Sequence, residues 1–259
     1  MNPLLELGER PVIAHRGASG LAPENTMAAF ALAIEQGADA IELDVRLTAD
    51  RVPVVLHDAT LDRTTGARGE ARSCSFAELT KLDAGARFSS DGRSFPYRER
   101  SIRIPALQEV LEAFPEVPLL IEIKEVPAQQ PVRQVVLDMK AAERCVFASE
   151  NHAALELFRN PPFTVAASGA EIGALYRGAL LRRVPHAVAY RTLSVPLRYR
   201  GLRVPTPRFL AAARRLGCPV HVWTVNDART AQRLWAVGAA GIVTNFPDQI
   251  RDARRISTG

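Results

Sequence analysis

Two carboxylates, Glu42 and Asp44, stand two residues apart in the apolar run Ile41-Glu42-Leu43-Asp44-Val45, and Ile121-Glu122-Ile123-Lys124 repeats the device further along. In a strand, alternate side chains share a face, so Glu42 projects with Asp44, and Glu122 with Lys124. If the strands form a barrel, their outward face packs on helices and must be apolar, which turns these polar residues inward. Three converging carboxylates repel one another and lose hydration unless positive charge sits among them. A hard divalent cation with oxygen ligands answers that need. Two histidines end strand-like runs: His15 after Val12-Ile13-Ala14, and His57 after Val54-Val55-Leu56. Imidazole is the side chain best matched to proton transfer near neutral pH. Arg16 and Lys124 supply positive charge for a phosphate. His152 at a helix start, His186 in a loop and His221 on a late strand read as structural.

The elements that must position these groups alternate along the chain. Strands are expected at Pro11–His15, Ala40–Leu47, Pro118–Lys124, Cys145–Ser149, Phe163–Ser168, Ala187–Tyr190, Val220–Val225 and Gly241–Asn245. Helical patterns lie between them: Asn25–Gln36, Ala106–Phe114, Val132–Ala142, His152–Phe158, Glu171–Arg182, Pro207–Leu216 and Asp227–Val237. Alternating strand and helix implies βαβ units and a parallel sheet. Eight such strands in 259 residues favour closure into a barrel over an open sheet, the α/β class (β/α)8 or TIM barrel, which uses roughly 250 residues. One connection breaks the rhythm. An extra strand at Val52–Leu56 leads into a segment of about 59–104 that is poor in apolar periodicity and carries a short helix at Phe76–Leu82. A connection this long, after the second barrel strand, is either a functional insertion or disordered. The whole, residues 1–259, reads as a single barrel domain carrying that insertion.

Composition narrows the class. With 47% hydrophobic and 24% charged residues, the chain has ordinary globular make-up. Met1–Arg10 lacks the pattern of a signal peptide, and no stretch is long enough to span a bilayer, so a cytoplasmic protein without stable membrane insertion is expected. Cys74, Cys145 and Cys218 match no metal spacing and read as reduced thiols. The net charge of +5 favours anionic partners. The arginines fall in isolated pairs such as Arg182–Arg183 and Arg214–Arg215, with no basic run interleaved with aromatics, so nucleic acid is not expected. Only Lys81, Lys124 and Lys140 are lysine.

The motifs, taken in order, resemble one family. His15-Arg16-Gly17 with Pro23-Glu24-Asn25-Thr26, Glu42-Leu43-Asp44-Val45, and Val55-Leu56-His57-Asp58 with Leu61-Asp62-Arg63-Thr64 are similar to the glycerophosphodiester phosphodiesterases. So are Ile104-Pro105, Glu122-Ile123-Lys124, Val222-Trp223-Thr224-Val225-Asn226 and Gly241-Ile242-Val243-Thr244-Asn245. The likeness runs from about residue 11 to 250. It implies that Glu42, Asp44 and Glu122 hold Mg²⁺ or Ca²⁺ (with Mn²⁺ as a further option), that His15 and His57 form the acid/base pair, and that Arg16 and Lys124 hold phosphate. Trp223 would line the substrate pocket. The segment after His57 would be the family's insertion, a small cap over the barrel mouth, and Asn25 and Thr26 would order the first loop.

The implied activity is metal-dependent hydrolysis of glycerophosphodiesters to sn-glycerol 3-phosphate and an alcohol, a step in lipid and glycerol metabolism. Three positions depart from the family's pattern. Arg51 stands where Gly commonly follows Asp, Glu150 where many members carry an aromatic, and Asn245 where an aspartate is frequent. Glu150 and the run Thr164–Ser168 are similar to the branch that includes lysophospholipase D-type enzymes. A lysophospholipid is therefore the alternative substrate, and Leu180, Leu181, Val195 and Leu197 are candidates to line a wider mouth. A Schiff-base aldolase using Lys124 and a non-catalytic phosphate-ligand-binding barrel are the more distant readings.

Overall fold

Period-two burial explains the architecture. The computed structural model describes residues 1–256, and its main sheet holds eight parallel strands. We number them β1 Val12–His15, β2 Ala40–Leu47, β3 Leu119–Ile123, β4 Cys145–Ala148, β5 Thr164–Val165, β6 Leu193–Pro196, β7 Val220–Trp223 and β8 Gly241–Thr244. Each pairs with the next except β5 with β6, and β8 returns to β1 through Val12↔Ile242, Ile13↔Val243 and Ala14↔Thr244. The last gap, between β5 and β6, closes through the parallel bridge Ala166↔Thr192. There Ala167 N–H donates to Thr192 O at 2.9 Å, and Arg191 N–H donates to Val165 O at 3.0 Å. The fold is the (β/α)8 barrel.

Outward residues such as Val12, Ile41, Leu43, Ile121, Phe147 and Val222 are buried against the helical layer. Each such burial contributes roughly 1.5–3 kcal/mol. Inward residues Ile13, Ala40, Leu120, Val146, Ala166 and Val243 fill the barrel, and Leu4 of the N-terminal turn Pro3–Leu5 plugs its lower end. Two residues further along the same strands, the inward face turns polar, at His15, Glu42 and Glu122. The core therefore ends where the candidate chemistry begins.

The barrel helices are α1 Met27–Glu35, α2 Leu107–Ala113, α3 Gln129–Asp138, α4 Gly169–Leu180, α5 Pro207–Arg215, α6 Ala228–Ala236 and α7 Pro247–Ile256, and a 3₁₀ segment, His152–Phe158, follows β4. Thr26 Oγ1 caps α1 by accepting Ala29 N–H at 3.3 Å, and Asp227 Oδ1 caps α6 by accepting Thr230 N–H at 2.8 Å. The α7 helix was not expected from the sequence. The sixth strand is a correction. It is Leu193–Pro196 and not Ala187–Tyr190, of which only Tyr190 is buried. Leu193 and Val195 are fully buried and alternate with Ser194, but Pro196 at the end gives this run the look of a loop. Arg51 takes a left-handed turn conformation without being Gly: its φ is +63°, and Arg51 N–H donates to Thr48 O at 3.0 Å.

Residues 59–104 carry the short helices Asp62–Thr65 and Phe76–Leu79. Leu61, Ala71, Leu79, Ala84 and Ile104 form a satellite core with Val54 and Leu56. Its base is the strand Pro53–Val55, antiparallel to β2.

Candidate active site

β2 and β3 place the carboxylates side by side, because their register pairs Asp44 with Glu122. One oxygen from each of Glu42, Asp44 and Glu122 lies within 4.8 Å of the others. Burial first, then the charges of Asp44 and Glu122, push the Glu42 carboxyl well above the usual carboxylate range. Burial likewise raises Glu122, with Lys124 opposing and Asp44 adding to the rise. Burial would raise Asp44 too, but Lys124 and Arg16 outweigh it and hold Asp44 low. The Lys124 Nζ lies 2.9 Å from Asp44 Oδ1 and 2.8 Å from Glu122 Oε1, and Arg16 Nε lies 3.1 Å from Asp44 Oδ2.

These five groups carry three negative charges against two positive ones. The surplus negative charge falls on carboxylates that burial already penalises, and the donors are all oxygen. That chemistry fits a hard divalent cation of the Mg²⁺ or Ca²⁺ kind. With such an ion bound, the five groups and the ion carry one net positive charge, which suits a singly charged phosphodiester.

The loop after β1 is built around left-handed backbone. Arg16 has φ +55° and Asn25 φ +56°, a conformation that Asn tolerates and Arg does not favour. It lets Arg16 N–H donate to Glu42 Oε2 at 3.0 Å and to Glu42 O at 2.9 Å. Gly17, with φ +83°, permits the close approach, since a Cβ there would lie 2.6 Å from the Ala29 backbone. Asn25 does more than order the loop. Its Nδ2 donates to Asp44 Oδ2 at 2.8 Å.

Both expected histidines reach the same cavity. His15 Nδ1 donates to Asn245 Oδ1 at 2.8 Å, which leaves Nε2 for chemistry. Burial, aided by the Arg16 charge, lowers the His15 pKa to about 4. His57 Nδ1 lies 2.6 Å from Asp58 Oδ1. Burial would raise Asp58, yet hydrogen bonds from Arg63 and His57 bring it down to about 2. Arg63 then links two parts of the site. Its Nε donates to Asp58 Oδ2, while its two terminal nitrogens donate to Glu24 at 2.6 and 2.7 Å. Glu24 Oε1 accepts from Arg16 at 2.9 Å.

The cavity measures about 910 Å³. His15, Arg16, Glu42, His57, Glu122, Lys124 and Trp223 line it, and Asp44 lies directly beneath through its ion pairs. Glu150 is on the wall as well. A largely apolar stretch of wall comes from α4 and from a hairpin after β6: Ala170, Ile172, Tyr176, Tyr199, Leu202 and Val204, with Arg177 of α4 on it as well. Of the candidates for a wider mouth, Val195 is buried under the helices and Leu197 packs on that same core, while Leu180 and Leu181 are exposed near the end of α4. None of the four is on the wall, and neither is any of residues 59–104, whose tie to the site is Arg63.

The residues that sequence reading missed are Asn245, Asp58, Arg63, Tyr199 and Leu202. Asn245 was legible, since it follows the inward Val243 by two. The remaining histidines are accounted for structurally. His221 is buried and bonded to Leu4 O, His152 meets Ser168 and Arg159, and His186 is exposed in a loop.

The family model described as the glycerophosphoryl diester phosphodiesterase family matches residues 15–249. A glycerophosphodiester phosphodiesterase of Caldanaerobacter subterraneus subsp. tengcongensis is 35% identical, over 92% of this chain and 95% of its own. A mouse lysophospholipase D is 29% identical, over 93% of this chain and 84% of its own. Among solved structures, an Oleispira antarctica phosphodiesterase in complex with the product sn-glycerol-3-phosphate superposes with a TM-score of 0.76. It is 28% identical and covers 95% of this chain and 96% of its own.

Proposed function

The chain belongs to the glycerophosphoryl diester phosphodiesterase family, and from that premise we propose that it hydrolyses glycerophosphodiesters to sn-glycerol 3-phosphate and an alcohol. It is a phosphoric diester hydrolase. The observation that carries the reading is one cavity lined by two cations, two histidines and two of three clustered carboxylates, with the third, Asp44, directly beneath. Glu42, Asp44 and Glu122 would hold one divalent cation, Mg²⁺ or Ca²⁺, which supplies Lewis-acid polarisation of the phosphoryl group. Arg16 and Lys124 hold the phosphate oxygens and stabilise charge that grows on them. The two imidazoles, each with Nδ1 engaged, offer Nε2 as one proton acceptor and one proton donor. Asn245 and Asp58 fix which ring nitrogen faces the substrate. Trp223 closes the floor of the pocket, and the insertion braces His57 and Arg16 through Arg63.

A second reading, lysophospholipase D-type hydrolysis of a lysophospholipid, is favoured by the apolar wall from Ile172 to Val204. Release of sn-glycerol 3-phosphate from glycerophosphocholine, glycerophosphoethanolamine and glycerophosphoinositol, set beside release of choline from lysophosphatidylcholine, separates the two. We expect a glycerophosphodiester to be the best substrate. Cleavage of lysophosphatidylcholine alone moves the assignment to the second reading, and cleavage of none in Mg²⁺, Ca²⁺ or Mn²⁺ rejects both.

A further inference from the structure

The positive charge of this chain is concentrated. Ten arginines lie between Ile172 and Asn226, with no lysine and no acidic residue among them, so the rest of the chain is acidic on balance. They look like scattered pairs in sequence, but the fold gathers them on the barrel side formed by α4, β6 and α5. All ten are exposed. Among the described residues none is ion-paired with a carboxylate.

At the mouth end of this side stands the hairpin Arg198–Tyr199/Leu202–Arg203, turned at Arg200 and Gly201, which forms a two-stranded sheet of its own among the described residues. Tyr176 ties it to α4 by donating its hydroxyl to Arg203 O at 3.3 Å. Arg198 sits directly across from Arg203, and Tyr199 across from Leu202. Like charges placed opposite one another destabilise a hairpin, and two strands alone are marginal in water. Tyr199 is 57% exposed and Leu202 61% exposed. The hairpin thus combines repelling cations with an apolar pair turned outward, an arrangement that becomes favourable against a surface both anionic and apolar.

We propose that this hairpin and the arginine-rich side of α4 and α5 dock the protein peripherally on an anionic lipid bilayer. The arginines would meet the headgroup phosphates, and Tyr199 with Leu202 would enter the interfacial layer, where a tyrosine ring suits both sides of the boundary. Tyr199 and Leu202 also line the cavity, so docking would bring the apolar wall of the mouth to the lipid surface. A nucleic acid is the lesser fit. The exposed pair has one aromatic ring and an aliphatic side chain, where a strand-binding surface presents successive rings for stacking.

Co-sedimentation tests this with vesicles of phosphatidylcholine alone and of phosphatidylcholine mixed with phosphatidylglycerol. The expected result is binding to the anionic vesicles that weakens as salt rises. The variant Arg198→Gln/Arg200→Gln/Arg203→Gln should lose about 100-fold in affinity, since each arginine near such a surface is worth about fivefold. Lys140→Gln/Arg229→Gln/Arg233→Gln removes as much charge elsewhere and should stay within about threefold of wild type. Tyr199→Ser/Leu202→Ser should abolish the binding that survives high salt. If the hairpin triple variant loses its thermal transition, Arg200→Glu alone serves, with an expected loss of about tenfold or more. Equal binding to both vesicles, equal losses in the two triple variants, or tighter binding of a structured RNA that ignores Tyr199→Ser/Leu202→Ser would overturn the proposal. Vesicle binding is read without turnover, so its failure leaves the hydrolase reading untouched.

Discussion

His15 and His221 sit on the inner face of the same barrel, near its two ends, and burial lowers both to a pKa of about 4. Only one of them faces a cavity. His15 gives Nδ1–H to Asn245 and lines the pocket with the carboxylates. His221 gives Nε2–H to Leu4 O at 2.9 Å, is fully buried, and is wedged against Gly241, where a Cβ would approach its Nδ1 too closely to be tolerated. The contrast teaches that desolvation alone does not mark a reactive histidine. Access and the partners around it decide, and a lowered pKa fits a structural plug as well as a base.

The largest expected difference separates the two by substitution. His15→Ala should lower kcat by about 10²- to 10⁴-fold, the worth of a positioned acid or base, with the thermal midpoint almost unmoved. His221→Ala should do the reverse. Turnover per folded molecule stays within about twofold, while stability falls by roughly 2–4 kcal/mol from the cavity and the stranded Leu4 carbonyl. Steady-state kinetics beside denaturant unfolding reads both, and a His221→Ala protein that is stable but slow would break the comparison.

The pH dependence of stability comes next. Both rings stay neutral in the folded protein, while in the unfolded chain they protonate near 6.5. Between pH 6.5 and 4 the unfolded state therefore binds more protons, and stability falls as pH falls; above 6.5 the full contribution is present. Each ring accounts for up to about 3 kcal/mol across that window. His221→Gln, which keeps a donor for Leu4 O, should remove about one proton from the slope there; an unchanged slope would contradict the assignment.

Smaller still is Gly241→Ala. Its methyl group must displace His221, at about 1–3 kcal/mol of stability with unchanged turnover per folded molecule. Asn245→Ala should cost His15 its orientation and lower kcat about fivefold, the worth of one neutral hydrogen bond, leaving KM nearly constant. A rise in KM alone would assign Asn245 to substrate binding instead.

What could be read in advance follows from the length scale of each signal. The inward placement of Glu42, Asp44, Glu122 and Lys124 is a period-two property of single strands, so sequence suffices for it. The barrel follows from repetition of such strands. The sixth strand escaped because Pro196 reads as a break, although only the end of the strand carries it. Asp58 is adjacent to His57 and still went unassigned, because its role depends on Arg63 holding it in place. The apolar wall and the arginine-rich side depend on α4, β6 and α5 lying together, and no local pattern reports that. Leu180 and Leu181 were plausible mouth residues by composition, but a helix that starts at the mouth carries its last turn away from it.

The central claim is that Glu42, Asp44 and Glu122 need a divalent cation for the barrel to work as a phosphodiesterase. It is tested most directly by following release of sn-glycerol 3-phosphate from glycerophosphocholine before chelation, after chelation, and after returning Mg²⁺ or Ca²⁺, with thermal midpoints measured in parallel. The account predicts that chelation abolishes release, that one of the ions restores it and raises the midpoint, and that Asp44→Asn responds in neither readout. Full turnover in chelator, or an unchanged midpoint shift in Asp44→Asn, would contradict it.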